Sequence, residues 1–264
     1  MNTKRTSLES AIEAMGGNTG KEFSYLMYDF LDIALGLLCN NPNDRQKELL
    51  TKTFSDKKRK EAFICALEAY GEEAKNYHDP LGELFMMRIS HGNNGQFFTP
   101  DDICQMMARI TEPCGGSIND PTCGSGRTLL AALMASREKG VEPYLYGNDI
   151  SYTCAQMTLM NLLFNCAKGE VSCGDALLYD LSTFRFFRID RAMMPDGCWV
   201  STYWQYTLDN IDEVDTKRQS WIRNMISNGI PIEMEMHNEE ETMQEPGEND
   251  RLTANPKAIQ LELF

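Results

Sequence analysis

Beyond about Pro113 short segments alternate with longer helical ones, and this alternation restricts the chain to a small set of folds. Ser117–Asp120, Tyr144–Asp149 and Glu170–Cys173 read as strands, and Arg127–Lys139 and Tyr152–Phe164 between them read as helices. Strands separated by helices of this length make βαβ units, whose strands run parallel. The expectation is an α/β protein built on a mostly parallel sheet.

Upstream the period is helical. Phe23, Leu26, Met27, Phe30, Leu31 and Ala34 recur at three- and four-residue spacing, and a second pattern runs through Ala62, Phe63, Leu67 and Tyr70. Asn41-Pro42-Asn43-Asp44 separates them as a loop and a helix cap. Downstream, a helix is expected over Leu208–Asn228, with Gly229 and Pro231 as its stop signals. The division that follows is a helical region over residues 1–95, an α/β domain over 96–231 and a tail over 232–264.

The tail stands out by charge. It holds nine acidic against two basic residues, so it carries −7 of the chain's net −14. Its stretch EMEMHNEEETMQEPGEND has only Met as apolar content, too little burial to offset the entropy of ordering it, and reads as a disordered linker. The remaining charge leaves the body mildly acidic with no evident basic stripe, so the chain by itself is poorly suited to holding a phosphate backbone.

Other classes are excluded more simply. No apolar run approaches the length of a membrane span, and the N-terminus MNTKRTSLES lacks the apolar segment of a secretory signal, which points to the cytoplasm. The nine Cys form no CxxC pair and His78, His91 and His237 lie far apart, so neither a zinc module nor a disulfide framework is expected, and no metal.

The candidate site centres on Asn119-Asp120-Pro121-Thr122-Cys123-Gly124-Ser125-Gly126-Arg127-Thr128, placed between a strand and a helix. Gly124 and Gly126 permit a tight turn and close approach of a ligand. It is not a P-loop, because no Gly-Lys-Ser/Thr follows, and it lacks the full dinucleotide spacing. A plain β–α connection explains one such turn equally well. Asn148-Asp149 ends the next strand, however, where an acid commonly binds ribose hydroxyls, and Gly174-Asp175-Ala176 ends the third. Acidic groups at three consecutive strand ends face one crevice, and together they favour a ligand bearing a nucleoside.

These elements, with Gly95-Gln96-Phe97-Phe98-Thr99-Pro100 before them and Asn161-Leu162-Leu163 among them, resemble the ordered motifs of adenine-N6 DNA methyltransferases. The likeness covers roughly residues 60–180 and is greatest to the modification subunits of type I restriction systems. It implies a Rossmann-like, doubly wound methyltransferase fold preceded by a helical region, and S-adenosylmethionine as cofactor. By that resemblance Phe98, Thr99 and Pro100 lie against the methionine end of the cofactor. Asp120, Thr122, Gly124 and Gly126 form the floor beneath methionine and ribose. Asp149 takes the ribose hydroxyls, Ile150 packs on the adenine ring, and Asp175 accepts from its exocyclic amine. DNA is the implied substrate, held with a partner specificity or modification subunit.

One departure is as informative. The family carries an Asn/Asp-Pro-Pro-aromatic element that holds the target amine and stacks on the flipped base, as chemistry on an extruded base requires. No such tetrapeptide occurs between Asp175 and Asn228, and the region is short for the rest of the sheet. The expectation is a truncated methyltransferase-like fold that binds cofactor and is poorly equipped to transfer a methyl group.

Two segments remain open. Phe184-Arg185-Phe186-Phe187-Arg188-Ile189-Asp190-Arg191 reads either as a surface for bases and phosphate or as a strand with a solvated Arg face. At the C-terminus, Gln260, Leu261, Leu263 and Phe264 in QLELF resemble the peptide by which bacterial proteins dock on the replicative sliding clamp, and equally make an alternating last strand. The clamp-like reading gives the alternative function, a non-catalytic interaction protein that engages a clamp or partner subunit.

Overall fold

The computed structural model describes residues 7–17, 20–90, 97–113, 115–178, 180–193, 199–228 and the backbone of 232–233. The N-terminal part is helical, with α1 (Ser7–Gly16), α2 (Phe23–Leu38), α3 (Asp44–Ser55), α4 (Lys57–Glu73) and the short α5 (Pro80–Phe85). Helix α3 starts where the sequence places its cap: Asn43 accepts from the Gln46 amide at 3.0 Å while the Gln46 side chain returns to the Asn43 amide. Helix α2 turns its apolar stripe inward, and Met27, Phe30 and Leu31 are fully buried. Phe30 lies 6.1 Å from Phe63 and 6.3 Å from Tyr70 on α4, ring centre to ring centre.

Then α6 (Asp101–Thr111) leads to β1 (Ser117–Asp120), α7 (Arg127–Glu138), β2 (Tyr144–Asp149), α8 (Tyr152–Phe164) and β3 (Lys168–Cys173). The expected limits of β1, β2 and α8 hold, and β3 begins two residues earlier than its apolar run. β1, β2 and β3 pair in parallel, Ser117 opposite Tyr144 and Tyr144 opposite Lys168. Their C-terminal ends therefore lie side by side.

The α/β class and the helical region before it are those expected, while the second half of the sheet adds antiparallel strands. β4 (Arg185–Met193) pairs antiparallel with β3, and β5 (Trp199–Tyr206) antiparallel with β4, so the sheet is mixed. These strands follow one another in the order β1-β2-β3-β4-β5, without a reversal of winding among the described residues. Ile232–Glu233, assigned by sequence to the tail, forms β6 and pairs with Arg191 and Ala192 of β4. Helix α9 occupies Ile211–Ser227, shorter than expected because Leu208–Asn210 forms a 3-10 turn closed by Thr207 and Asn210.

The helical region does not stand apart from the sheet. One continuous apolar core joins Leu8, Met27, Phe63 and Leu81 to Leu130, Leu145, Leu159, Val171, Phe187 and Tyr203. The segment after α2 also covers the edge of β5: Cys39 bridges to Tyr203, and the Asn41 side chain both donates to Gln205 O at 2.7 Å and accepts from Gln205 N at 2.9 Å. An edge that would otherwise offer unpaired backbone groups is thereby closed.

The arginines of β4 correct one reading. Two of the three lie off any solvated face, since Arg188 pairs with Glu170 at 3.0 Å and stacks on Tyr206, and Arg191 is buried and bonded to Glu142, while Arg185 at the start of the strand is exposed. Arg185 stacks on Tyr152 with 5.3 Å to the ring centre. Trp204 and Tyr206 pack with Phe184, Phe186 and Val214 in a second core. Among the described residues no helix is long and apolar enough to cross a membrane.

Candidate functional site

The site is assembled from the loops at the C-terminal ends of β1, β2 and β3, the place where α/β sheets bind ligands. In the first loop Asp120 caps its own turn, accepting from the Thr122 amide at 3.1 Å and from the Thr128 hydroxyl on α7. Gly124 and Gly126 have φ of 57° and 89°, the left-handed region that favours glycine. At Gly126 a methyl group would also meet Thr158 of α8 at 3.1 Å, so the glycine lets α8 approach the turn. Thr158 uses that proximity, donating its hydroxyl to Gly124 O at 2.9 Å.

The second loop closes on the first. The two carboxylate oxygens of Asp149 accept from the Gly124 amide at 2.9 Å and the Ser151 amide at 2.8 Å. Burial raises the Asp149 carboxyl above its ordinary value of 3.8; the two amide bonds lower it, nearby Asp120 raises it further, and burial prevails. Each oxygen keeps a lone pair for a ligand hydroxyl.

Asn148 joins all three loops. Its amide donates to Pro121 O at 3.1 Å and Gly174 O at 3.0 Å, and its carbonyl accepts from Ser172 at 2.8 Å. Its backbone oxygen takes the Cys123 amide, and that of Asp149 takes the Gly174 amide. In the third loop Asp175 accepts from the Leu177 amide at 3.0 Å, so it is held as a turn acid beside the other two loops.

Most of the residues expected from sequence are gathered here. Phe98 stacks on Phe85 at 5.7 Å and lies over Gly124, whose missing side chain would strike its ring. Thr99 is half-buried and Pro100 precedes the first turn of α6. Thr122 is exposed on the turn, and Ile150 is 70% exposed beside Asp149. Phe97, Leu177 and Leu178 are exposed as well. The Cys123 thiol is buried and pushed well above its ordinary range, which removes it as a thiolate nucleophile at neutral pH. Gly95 and Gln96 lie outside the described residues, as do Gln260, Leu261, Leu263 and Phe264.

The residue that sequence reasoning missed is Asp79. It is fully buried at the start of α5 and accepts from the Gly82 amide at 2.9 Å, Ser125 at 2.5 Å, Arg127 at 2.8 Å and Asn161 at 2.7 Å. The signal available in sequence was Asp-Pro-x-Gly, which reads only as a helix start. Nothing local reveals donors from 46 to 82 residues away.

Comparison with known proteins identifies the family. The family model for N-6 DNA methylases matches residues 79–220, more than half of the chain. The type I restriction enzyme MjaIX methylase subunit of Methanocaldococcus jannaschii is 26% identical over 162 residues, covering 56% of this chain and 29% of that protein. The type I restriction enzyme MpnII methylase subunit of Mycoplasma pneumoniae is 29% identical over 170 residues, covering 60% of this chain and again 29% of its own length. The crystal structure of a type I restriction-modification methyltransferase subunit from Streptococcus thermophilus is 18% identical, with a TM-score of 0.35 over 67% of this chain and 40% of that one. The matches to the two curated relatives thus span less than a third of each relative's length, but the family match takes in the glycine turn, both following strand ends and the Asp79 brace. The chain belongs to the N-6 DNA methylase family.

Proposed function

We propose that the chain binds S-adenosylmethionine at the ends of β1, β2 and β3 and serves as the cofactor-holding part of an adenine-N6 DNA methylase. The observation that carries this is the junction of Asp149 with the Gly124 amide, which sets a carboxylate beside the glycine turn. The donor set fits the ligand. Asp120 and Asp149 make the floor acidic, suited to a ligand with a sulfonium and an ammonium group. The second lone pairs of Asp149 suit ribose hydroxyls, exposed Ile150 suits an adenine face, and the Phe98 ring over Gly124 suits the methionine end.

When bound, that cofactor supplies an electrophilic methyl group. This chain's contribution is to bind and orient it. No Asn/Asp-Pro-Pro-aromatic element lies between Asp175 and Asn228 to hold a target amine, so methyl transfer to DNA requires groups from another polypeptide segment. The mildly acidic body fits the same division of labour, with a partner subunit holding and reading the DNA.

Calorimetric titration tests the reading. S-adenosylmethionine binds the wild type with a stoichiometry near one, and Asp149→Ala and Asp120→Ala lose affinity. Absence of heat with the wild type, or full affinity in both variants, overturns it. With duplex DNA and labelled cofactor, the chain alone gives no methyladenine.

A further inference from the structure

We propose that Asp79 is a positioning residue for the cofactor-binding turn, by which the helical region sets the conformation of Cys123-Gly124-Ser125-Gly126. Its effect on affinity rests on the function proposed above; its effect on the turn does not.

Left to itself the turn is weakly determined. With Gly at 124 and 126 its backbone has more freedom than any other pair of residues would give it, and Ser125 between them supplies the side chain that can anchor it. That anchor is used twice. The Ser125 hydroxyl donates to Asp79 at 2.5 Å, and its carbonyl accepts from Asn161 at 2.9 Å, while the same Asn161 amide donates to Asp79. Asn161 is in turn oriented by the Tyr70 hydroxyl of α4 at 2.7 Å. A chain of bonds therefore runs from the helical region through two buried side chains into the turn.

Arg127 shows why a carboxylate is needed there. It stands in the first turn of α7, where the helix dipole disfavours a cation. Its Nε bonds Asp79 at 2.8 Å, and Asp101 lies 3.7 Å away. Asp79 neutralises that cation and fixes Ser125 with the same oxygen. Gly82 completes the fit, because a side chain there would overlap both Asp79 and Ser125.

A brace of this kind is separable from general stability. In the ligand-free protein, hydrogen exchange of the 122–127 peptide rises tenfold or more in Asp79→Asn, with the 185–206 peptide unchanged. Ser125→Ala, which leaves Asp79 with its other three donors, gives a smaller rise in the same peptide. In calorimetry, Asp79→Asn raises the Kd for S-adenosylmethionine at least tenfold at unchanged stoichiometry. A purely structural role would instead lower the stoichiometry, as part of the sample unfolds, and leave the Kd of the folded fraction alone; that result overturns the proposal. So does unchanged exchange at 122–127 in both variants. If Asp79→Asn does not fold, Ser125→Ala decides the matter by the same two readouts. Failure of the wild type to bind cofactor overturns the proposed function, and the exchange measurement then judges Asp79 alone.

Discussion

Asp149 and Gly124 are 25 residues apart in sequence and joined by a bond of 2.9 Å, so the acid that ends β2 holds the turn that follows β1. Removing the acid therefore damages the site twice, through a lost ligand contact and through a freed turn. Hydrogen bonds to a charged group are worth about 1.5–3 kcal/mol each. Asp149→Ala is expected to weaken cofactor binding by roughly ten- to hundredfold per bond lost, read by calorimetry.

The same carboxyl gives a pH dependence with opposite signs for binding and folding. Its value in the folded protein is raised above 3.8, foremost by burial. The ionised form thus costs the folded state stability at neutral pH, and that cost is relieved as pH falls through the raised value. Binding needs the ionised form as acceptor. Cofactor affinity should fall on acidification at a pH above the ordinary aspartate value, and Asp149→Asn should flatten that profile.

Gly126 and Gly140 separate two causes of strain. Both have positive φ, 89° and 73°, where a side chain costs about 1–2 kcal/mol. Gly140 faces open space, whereas at Gly126 an added methyl meets Thr158 at 3.1 Å. Denaturant unfolding should show Gly126→Ala clearly less stable than Gly140→Ala, with cofactor affinity reduced in the first alone.

Tyr70→Phe should destabilise the protein by about 1–3 kcal/mol, because it strips a buried partner from the Asn161 carbonyl and leaves the ring packing intact. Thermal unfolding at neutral pH measures it. A neutral result would mean that Asn161 needs no orienting.

His78 stabilises the fold when protonated. Burial lowers its pKa, but the Glu73 carbonyl and the Glu83 and Asp101 carboxylates outweigh burial and leave it above 6.5. Because the folded value is the higher one, this stabilisation is complete below 6.5 and is lost as pH rises through the folded value. The stability difference between wild type and His78→Gln should be larger at pH 6 than at pH 9.

How much was legible depended on how far a residue's partners lie along the chain. β1, β2 and α8 could be delimited from sequence because alternation and periodicity are local properties. That Gly124, Asp149 and Asp175 follow neighbouring strand ends is legible because the alternation itself implies parallel strands. The segment Phe184–Arg191 stays open in sequence because the partners of Arg188 and Arg191, Glu170 and Glu142, are 18 and 49 residues away. Asp79 was missed for the same reason. Asn148 was noticed beside Asp149, yet its bonds to Pro121, Ser172 and Gly174 depend on three loops that sequence places separately.

The uninterrupted strand order has a kinetic consequence. From β1 to β5 every strand pairs with the strand made just before it, so the sheet can grow in the order in which the chain is synthesised, with each closure short. The costly closures are those of the helical region, where Asn41 meets Gln205 across 164 residues and Tyr70 meets Asn161 across 91. Helices made first must therefore wait for the sheet to be finished before they find their last partners.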